Sequence, residues 1–225
     1  MKQLICYLII SSFITLQSAG QECQNSLYTK KGASIQTTEY GADNAVKSVT
    51  SITVAQTGKN NTGDIISDLH SVKTEKGKPS EDKVLHYSCK PDQVIWGLGV
   101  DDAKTKKEAA IIYPKNMAAG QDLKTDVFYE ATATNEKGES VKISLKINNR
   151  KVSGQQSITT KAGTWLCTKI IYDFEFKFKI GFIGIPIKAK VTEYYHPEVG
   201  VVRSEVRSKD KLESFSEITS IKAPK

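Results

Sequence analysis

The sequence of 225 residues has few histidines and lacks the motifs and spacings that build metal centres and hydrolytic sites. Its three histidines are scattered at His70, His86 and His196, whereas a zinc site requires closely spaced Cys and His ligands. His86 and Cys89 lie three positions apart, which places them on opposite faces of an extended strand. No G-x-S-x-G motif, phosphate-binding glycine loop or recognisable carboxylate pair is present. We therefore expect no metal, no cofactor, no catalytic residue and no enzymatic activity.

Long apolar runs and compact basic runs are also missing. Beyond the first twenty residues, no stretch is apolar and uncharged for long enough to span a bilayer. The net charge of +7 is spread over positions that alternate with apolar residues, without a Lys/Arg run among aromatics. We expect a chain that neither spans a membrane nor binds nucleic acid.

The N-terminus has the pattern of a secretory signal. Lys2 precedes an apolar run from Leu4 to Leu16, and the small residues Ser18, Ala19 and Gly20 follow. A positive charge, a short apolar core and a small-residue exit are typical of a signal peptide. We predict that residues 1–20 are removed and that the protein is exported to the periplasm or the cell exterior. A buried first helix is the alternative.

A lipid anchor at the new N-terminus is less favoured than a soluble exported protein. Lipidation requires small residues directly before the modified cysteine, but Gln21 and Glu22 precede Cys23, and Cys6 lies too early, inside the apolar run.

Three cysteines remain after removal of the signal: Cys23, Cys89 and Cys167. A disulfide can persist in an exported protein, and an odd count leaves one thiol over. Cys89 and Cys167 both lie in strand-like segments and could face each other across a core. The sequence excludes none of the three pairings, and three buried free thiols is the alternative.

Most of the chain alternates between apolar and polar residues with the period of two that half-buried antiparallel strands require. The predicted strands are Ser34–Tyr40, Val46–Ala55, Ile65–Lys73, Val84–Cys89, Val127–Thr134, Val141–Asn148, Leu166–Phe178, Ile185–Tyr195, Gly200–Ser208 and Glu213–Ile221. No helical stripe extends over three turns, and the best helix candidate is the short segment Asp102–Ala110.

Turn residues separate consecutive strands. Glu75–Lys78 and Glu136–Glu139 each contain a glycine that can supply the positive φ of a tight hairpin. Ser208–Lys211 has Asp210 in that place, and Gly41–Asn44 lies in a similar position earlier. The pattern predicts an all-β protein: a curved antiparallel meander sheet or half-barrel with one or two short helices.

The domain organisation follows from the same pattern. Residues 21–225 are predicted to form a single β-rich domain, or two similar halves of one structure joined around 97–123. The joining region, Gly97–Leu123, contains Pro114 and Gly120 and has few alternations.

The most apolar strand lies in the segment Asp173–Val191. Its apolar residues share one parity with Ile170 and Tyr172, and the parity shifts after Phe182, where Gly181 and Gly184 predict a turn or a bulge. Pro186 suits a sheet edge or a strand start. The apolar face either fills the core or forms a concave surface for an apolar ligand. The residues of that candidate wall are Phe174, Phe176, Phe178, Phe182, Ile185 and Ile187.

Aromatic residues also stand at strand ends. Trp96 and the pair Tyr194–Tyr195 are predicted to close the ends of the core, and stacking on a sugar or peptide is the alternative.

Several motifs carry a resemblance to a known family. Tyr28–Gly32 opens the first strand, and Glu193–Tyr195 leads into Val199–Glu205 near the end. The other matching segments are Asn148–Val152, Ser157–Thr164, Leu166–Ile170 and Phe215–Ser220. Through them the chain resembles an uncharacterised family of exported Bacteroidota proteins labelled TapB-like. It departs from the family at Asp210, where glycine is usual, and in the aromatic and isoleucine content of Phe174–Ile187.

The resemblance implies an exported protein and no established activity, cofactor or site residue. The family label suggests association with an envelope protein that carries tetratricopeptide repeats. Together with the sequence pattern, this predicts a non-enzymatic envelope protein that binds an apolar, lipid-like ligand or a protein partner on a curved sheet. The alternatives are an interaction or assembly module that uses exposed strand edges, and an enzyme whose polar cluster only folding brings together.

Overall fold

The computed structural model describes residues 23–101, 108–123, 127–134, 140–180 and 183–224. Within these ranges it contains twelve β-strands and one short 3-10 turn, Leu27–Thr29. The strands are β1 (Ser34–Gly41), β2 (Val46–Lys59), β3 (Ile65–Glu75), β4 (Lys78–Cys89), β5 (Gln93–Asp101), β6 (Glu108–Pro114), β7 (Val127–Thr134), β8 (Ser140–Thr160), β9 (Gly163–Ile180), β10 (Ile183–His196), β11 (Gly200–Ser208) and β12 (Lys211–Lys222). The all-β prediction is confirmed.

All twelve strands belong to one antiparallel sheet, in the order β6-β5-β4-β3-β2-β1-β12-β11-β10-β9-β8-β7. Consecutive strands pair with each other except β6 and β7, which stand at the two ends of the order and share no ladder in the described ranges. At the centre, β1 pairs with β12 from Ser34–Lys222 to Gly41–Ser214. The predicted meander is confirmed as two six-strand meanders joined through the first and last strands. The sheet curls so far that β6 and β8 approach, and Arg150 Nη1 on β8 donates to the Ile112 carbonyl oxygen on β6 at 2.9 Å. The result is a nearly closed barrel.

The sequence prediction missed two strands, β5 and β6. It assigned no element to Gln93–Trp96 and placed the rest of β5 and all of β6 in the joining region Gly97–Leu123, which contains the helix candidate Asp102–Ala110. The helix prediction is wrong for Glu108–Ala110, which begin β6, and residues 102–107 lie outside the described ranges. The physical reason is visible in Val94–Trp96 and Ala109–Tyr113, whose apolar residues are consecutive rather than alternating. Of the one or two short helices predicted, the described part of the chain contains the 3-10 turn and, just before it, the helical residues Cys23–Asn25.

Two hairpin turns adopt the backbone conformation that the turn sequences predict. Lys76 and Gly77 have φ of 51° and 76°, and Lys209 and Asp210 have φ of 47° and 65°. Two consecutive residues with positive φ form the turn whose twist matches two antiparallel strands. Asp210 thus replaces glycine without a change of turn. The segment Glu136–Glu139 lies outside the described residues.

The segment Cys23–Thr29 closes one end of the barrel, which we call the N-terminal end. Cys23 forms a disulfide with Cys89 at the end of β4, with the two Cα atoms 5.8 Å apart. Ser26 Oγ is hydrogen-bonded to the Tyr87 hydroxyl at 3.0 Å. The Leu27 amide donates to the Glu198 carbonyl oxygen at 2.8 Å, beyond the end of β10. One short segment therefore ties β4 to the β10–β11 connection.

An aromatic cluster of Tyr28, Tyr87 and Trp96 packs beneath this segment. The Trp96 ring lies edge-on to both tyrosines, with ring centroids 4.5 Å from Tyr28 and 5.4 Å from Tyr87. The Tyr28 hydroxyl donates to the Val199 carbonyl oxygen at 3.0 Å. Gly200 has φ of +75°, and a Cβ there would lie 3.1 Å from the Tyr28 ring, so the turn requires glycine for two reasons. Trp96 closes the core as predicted, and Tyr194 and Tyr195 are buried as well.

The cysteine arrangement resolves the alternatives that the sequence left open. Cys89 does not face Cys167; it pairs with Cys23, and Cys167 is a buried free thiol. The expectation of three free thiols is wrong as well. Cys89 is the last residue of β4 and lies on the inner face at the closed end of the barrel, where it meets the closing segment, whereas Cys167 lies on β9.

The disulfide is expected to stabilise the fold because it closes a loop of 66 residues. A loop of that length restricts the unfolded chain by about 4 kcal/mol. The double variant Cys23→Ser with Cys89→Ser should therefore unfold at lower denaturant concentration than the wild type. A reducing agent should destabilise the wild type by a similar amount and leave the variant unchanged. A wild-type transition that is insensitive to reductant would show that the bridge contributes nothing.

Candidate functional site

The alternation predicted for the aromatic strand is confirmed. On β9 the even-numbered residues from Ile170 to Phe178 face the inside of the barrel, where their neighbours in the ladder, Val152 and Ile147, are core residues. Burial decreases along this row towards the end opposite the N-terminal segment, from 0% exposure at Ile170 to 36% at Phe178. This inward row thus runs from the core, at Ile170, to an open end of the barrel, at Phe178, which we call the mouth.

Neighbouring strands extend this inward apolar surface at the mouth. Leu145 on β8 and Ile187 on β10 both lie opposite Phe176, and Ile143 lies opposite Phe178. Ile187 is 55% exposed although it points to the inside of the barrel. We call this surface the apolar wall; its residues are Ile143, Leu145, Phe174, Phe176, Phe178 and Ile187.

The structure gives less information on the other two predicted wall residues, Ile185 and Phe182. Ile185 lies opposite Phe178 in the β9–β10 ladder, and Phe182 lies outside the described residues. Pro186 lies within β10, next to β9 only, because the β10–β11 ladder begins at Lys190. It therefore occupies a local sheet edge, as predicted. The core alternative holds for the lower part of the aromatic row, at Ile170 and Tyr172, whereas Phe178 is partly exposed. The apolar-ligand alternative stays a prediction.

The opposite side of the mouth is polar. Strand order places β3 and β9 six strands apart in either direction around the ring. On β3, Leu69 faces the core opposite Leu85 of β4. Two and four residues further towards the mouth, the same inward row continues with Ser71 and Lys73. The inward surface of β1 to β4 thus changes from apolar to polar just above the core.

Polar side chains, most of them charged, form this surface, which we call the polar band; it consists of Glu39, Ser48, Ser71, Lys73, Glu75, Lys78, Glu81 and Lys83. Lys73 Nζ lies 3.1 Å from Glu75 Oε1 and 4.0 Å from Glu39 Oε2. Lys83 Nζ lies 2.8 Å from Glu81 Oε1. Both lysine side chains are 31% exposed. These charged side chains are partly exposed at the opening, so the mouth has one apolar and one charged side.

The floor of the mouth is a buried polar cluster, the seam cluster, consisting of Tyr113, Arg150, Tyr172, Glu193 and Tyr195. The Tyr172 hydroxyl donates to Glu193 Oε1 at 2.7 Å, and the Tyr113 hydroxyl donates to Glu193 Oε2 at 3.0 Å. The rings of Tyr113 and Tyr195 stack with centroids 4.2 Å apart, and the Arg150 guanidinium lies 5.1 Å from the Tyr113 ring centre. These contacts fasten β6 to β8, β9 and β10.

Burial controls the ionisation of this cluster. Glu193 is 6% exposed, and burial raises its pKa, although hydrogen bonds from the two tyrosines and the nearby charge of Arg150 oppose the shift. Burial likewise raises the pKa of Tyr113 and Tyr172 well above the ordinary value, and the charge of Glu193 adds to it. The tyrosines remain donors at every physiological pH.

Sequence reasoning did not identify the seam cluster, although one signal was available. Glu193 shares the parity of the apolar residues Val191 and Tyr195, so a carboxylate stands at an inward position. Arg150 gives no such signal because the β8–β9 ladder is irregular between Asn148 and Lys151.

A surface cavity of about 560 Å³ lies near the Ser208–Asp210 turn, and Phe174 of the apolar wall is among its lining residues. It is lined mainly by outward-facing charged side chains, including Asp173 and Lys190, which form an exposed ion pair at 3.5 Å. Exposed pairs of this kind contribute little to stability or recognition, and we assign no site to this cavity.

The histidines and acidic residues of the described part form no group of three or more that could hold a metal ion. His70 and His86 pair with Asp82 and Asp68, at 2.7 Å and 3.0 Å. Within the same ranges, no helix has the length and apolar character that crossing a bilayer requires.

These features define a class: an all-β, barrel-like protein made from two joined meanders, with one closed end and one open, two-sided mouth. The sequence model of the DUF3108-like family matches residues 30–218, and the chain belongs to that family. No curated protein matches the chain significantly.

Two solved structures share the fold. One is a protein from Bacteroides fragilis NCTC 9343, inferred to be exported and described as having a YmcC-like fold; it is 20% identical, with a TM-score of 0.71 over 86% of this chain and 97% of that one. The other is a protein from Parabacteroides distasonis ATCC 8503, inferred to be a lipoprotein; it is 22% identical, with a TM-score of 0.68 over 88% of this chain and 99% of that one.

The raised pKa of Glu193 predicts a specific pH dependence of stability. The folded protein binds this proton more tightly than the unfolded chain, so the contribution is fully present below the ordinary pKa of 4.5 and is lost as the pH rises towards the folded pKa. The free energy of unfolding of the wild type should therefore fall relative to that of Glu193→Gln as the pH increases from about 4 to about 8.

Chemical denaturation across this pH range measures the difference. The exposed Glu213 provides the matched control variant, Glu213→Gln, whose stability should follow the wild type. If the free energies of unfolding of the wild type and Glu193→Gln changed in parallel with pH, this would contradict the raised pKa of Glu193.

Proposed function

We propose that this chain is an exported, non-enzymatic envelope protein that binds a lipid-like ligand in the mouth of its barrel. The observation that carries the proposal is the apolar wall, where Phe178 and Ile187 face the inside of the barrel and are nevertheless 36% and 55% exposed. Exposed apolar surface of this kind marks interaction sites in soluble proteins.

Export is supported by the signal pattern of residues 1–20 and by the descriptions of the two structural neighbours as an exported protein and a lipoprotein. The proposal leaves both the periplasm and the cell exterior open as destinations.

The energy available at the wall is sufficient for binding. Covering one large apolar side chain contributes about 1.5–3 kcal/mol. Micromolar affinity corresponds to about 8 kcal/mol, which about four such side chains can supply. The closed N-terminal end and the buried seam cluster leave the mouth as the side from which a ligand enters.

A second candidate function is a protein-interaction module. The observation that favours it is the end of the sheet order at β6 and β7, since strand edges can accept a strand from a partner. Phe128 on β7 is 61% exposed and would lie beside such an edge. An envelope protein with tetratricopeptide repeats is the partner that the family resemblance suggests.

The substitution Phe176→Asp tests the lipid proposal because it places a charge in the middle of the apolar wall. Titration with dansyl-undecanoic acid should give saturable binding to the wild type and affinity weakened at least about tenfold in the variant. The matched control is Leu166→Asp, on the same strand; Leu166 is already 62% exposed, and its side chain is not part of the wall.

Circular dichroism establishes that both variants fold. Equal affinity of the wild type and Phe176→Asp would overturn the proposed site. If the wild type does not bind the lipid probe but recovers an envelope protein, the interaction module would be favoured. The binding of that protein should then be lost when Pro replaces a β7 edge residue.

A further inference from the structure

The positive charge of the protein is concentrated in one half of the chain. Residues 23–101 contain nine lysines and nine carboxylates, whereas residues 140–224 contain fifteen lysines and arginines and eight carboxylates. The first half is therefore neutral overall, and the second half accounts for the basic character of the whole protein.

The ladders of β7 to β10 place much of this charge on one face. Phe176 points to the inside of the barrel, so its neighbours along β9, Glu175 and Lys177, point outwards. The residues opposite these two on β8 and β10 share the outward face. We call this surface the basic face; its charged residues are six lysines and three carboxylates, namely Lys142, Lys146, Lys177, Lys179, Lys188, Lys190, Glu130, Asp173 and Glu175.

The lysines of the basic face outnumber the carboxylates that neutralise them. Glu175 is shared by three lysines: Lys177 Nζ lies 2.8 Å from Oε1, Lys188 Nζ lies 3.8 Å from Oε2, and Lys146 stands opposite Glu175 in the β8–β9 ladder. One carboxylate cannot neutralise three ammonium groups, so a positive potential remains around it.

A pair of like charges stands beside this group. Lys142 and Lys179 are directly opposite each other in the β8–β9 ladder, and both are exposed. Like charges at directly opposed positions destabilise a sheet. In the part of the chain that the structure describes, neither lysine forms an ion pair with a carboxylate. The fold thus retains a repulsion that an external negative charge would relieve.

The composition of the basic face fits an anionic lipid surface. Phe128, opposite Lys146 in the β7–β8 ladder, is 61% exposed on the same face. An aromatic ring among lysines suits the membrane interface, where the ring enters the headgroup layer and the ammonium groups meet lipid phosphates. Recognition of a single phosphate or of nucleic acid favours the planar fork of arginine, whereas the basic residues here are all lysines.

The size of the basic face also favours an extended partner over a small ligand. From Asp173 to Lys179 the outward row of β9 extends over about 20 Å, and the four strands span about 14 Å across. The lysines are spread over this area instead of converging on one point, as a distributed attraction to a charged surface requires.

We propose that the basic face docks the protein on the surface of an anionic phospholipid bilayer. The attraction is distributed over the six lysines, and Phe128 adds contact with the headgroup layer. This inference goes beyond lipid binding in the mouth and does not depend on it, because the lysines and the apolar wall lie on opposite faces of the same strands.

Cosedimentation with lipid vesicles tests the proposal. The wild type should bind vesicles made of equal parts of phosphatidylglycerol and phosphatidylcholine, and it should not bind vesicles of phosphatidylcholine alone. The partition coefficient for the anionic vesicles should fall steeply between about 50 and about 500 mM salt, because salt screens the attraction between exposed charges.

The triple variant Lys142→Gln, Lys146→Gln and Lys179→Gln removes charge from the basic face without breaking a described ion pair. Its partition coefficient should be lower at least about a hundredfold, since each basic residue near an anionic surface contributes a factor of about five. Because the repulsion between Lys142 and Lys179 is also removed, chemical denaturation should show the variant to be no less stable than the wild type.

The matched control is a second triple variant, Lys31→Gln, Lys47→Gln and Lys59→Gln, in the neutral half of the chain. These lysines are exposed, and their replacement removes the same net charge from the protein. The control should bind anionic vesicles as the wild type does.

Equal binding of the wild type to both kinds of vesicle, or equal loss of binding in the two triple variants, would overturn the proposal. Binding to heparin or DNA without binding to vesicles would overturn it in favour of a soluble polyanion. Phe176→Asp should keep its affinity for the vesicles. If only this variant lost vesicle binding, the mouth would be the membrane contact and the basic face would not.

Discussion

The pairing of β1 with β12 is the constraint on which the rest of the structure depends. It joins the first and last strands of the chain over the whole of β1, from Ser34 to Gly41, and so converts two meanders into one sheet. Because of this junction, β2 to β4 lie opposite β8 to β10, and the closing segment near Cys23 can reach both β4 and the end of β10. Two separate six-strand meanders would expose four strand edges and would enclose no common core.

The barrel has a gradient of chemistry along its axis. At the N-terminal end, the disulfide and the aromatic cluster around Trp96 close the core. In the middle, the seam cluster compensates for the missing ladder between β6 and β7 in the described part of the chain, since Glu193 and Arg150 connect β6 to the far half. At the mouth, the inward surface is divided into an apolar and a charged side. A buried carboxylate with few partners would be costly, and the two tyrosine donors to Glu193 reduce that cost.

Local periodicity was sufficient to predict most of the fold. Ten of the strands and the turns at Gly77 and Asp210 follow from alternation and turn chemistry, because both depend on residues close together in the sequence. The inward direction of Phe174 and Phe176 was predictable for the same reason. The strands β5 and β6 were missed because their apolar residues are consecutive, and a buried strand and a short irregular segment then give the same pattern.

The partner of each strand could not be predicted in the same way, and the polar parts of the site depend on it. Lys73 and Lys83 alternate with neighbours just as solvent-facing residues do, and only the register with Leu69 and Leu85 shows that they point inward. The pairing of Cys23 with Cys89 likewise depends on how the N-terminal segment folds over the end of the barrel. Long-range pairing of this kind leaves no local signal in the sequence.

Isotope-edited NMR of the lipid-bound protein tests the central claim, that the inside of the mouth receives the acyl chain, most directly. With Ile, Leu and Val methyl groups labelled, nuclear Overhauser contacts with the acyl protons should appear at Leu145 and Ile187 of the apolar wall. They should be absent at Ile171, which is 39% exposed on the other face of β9. Contacts at Ile171 with none at Leu145 and Ile187 would contradict the account.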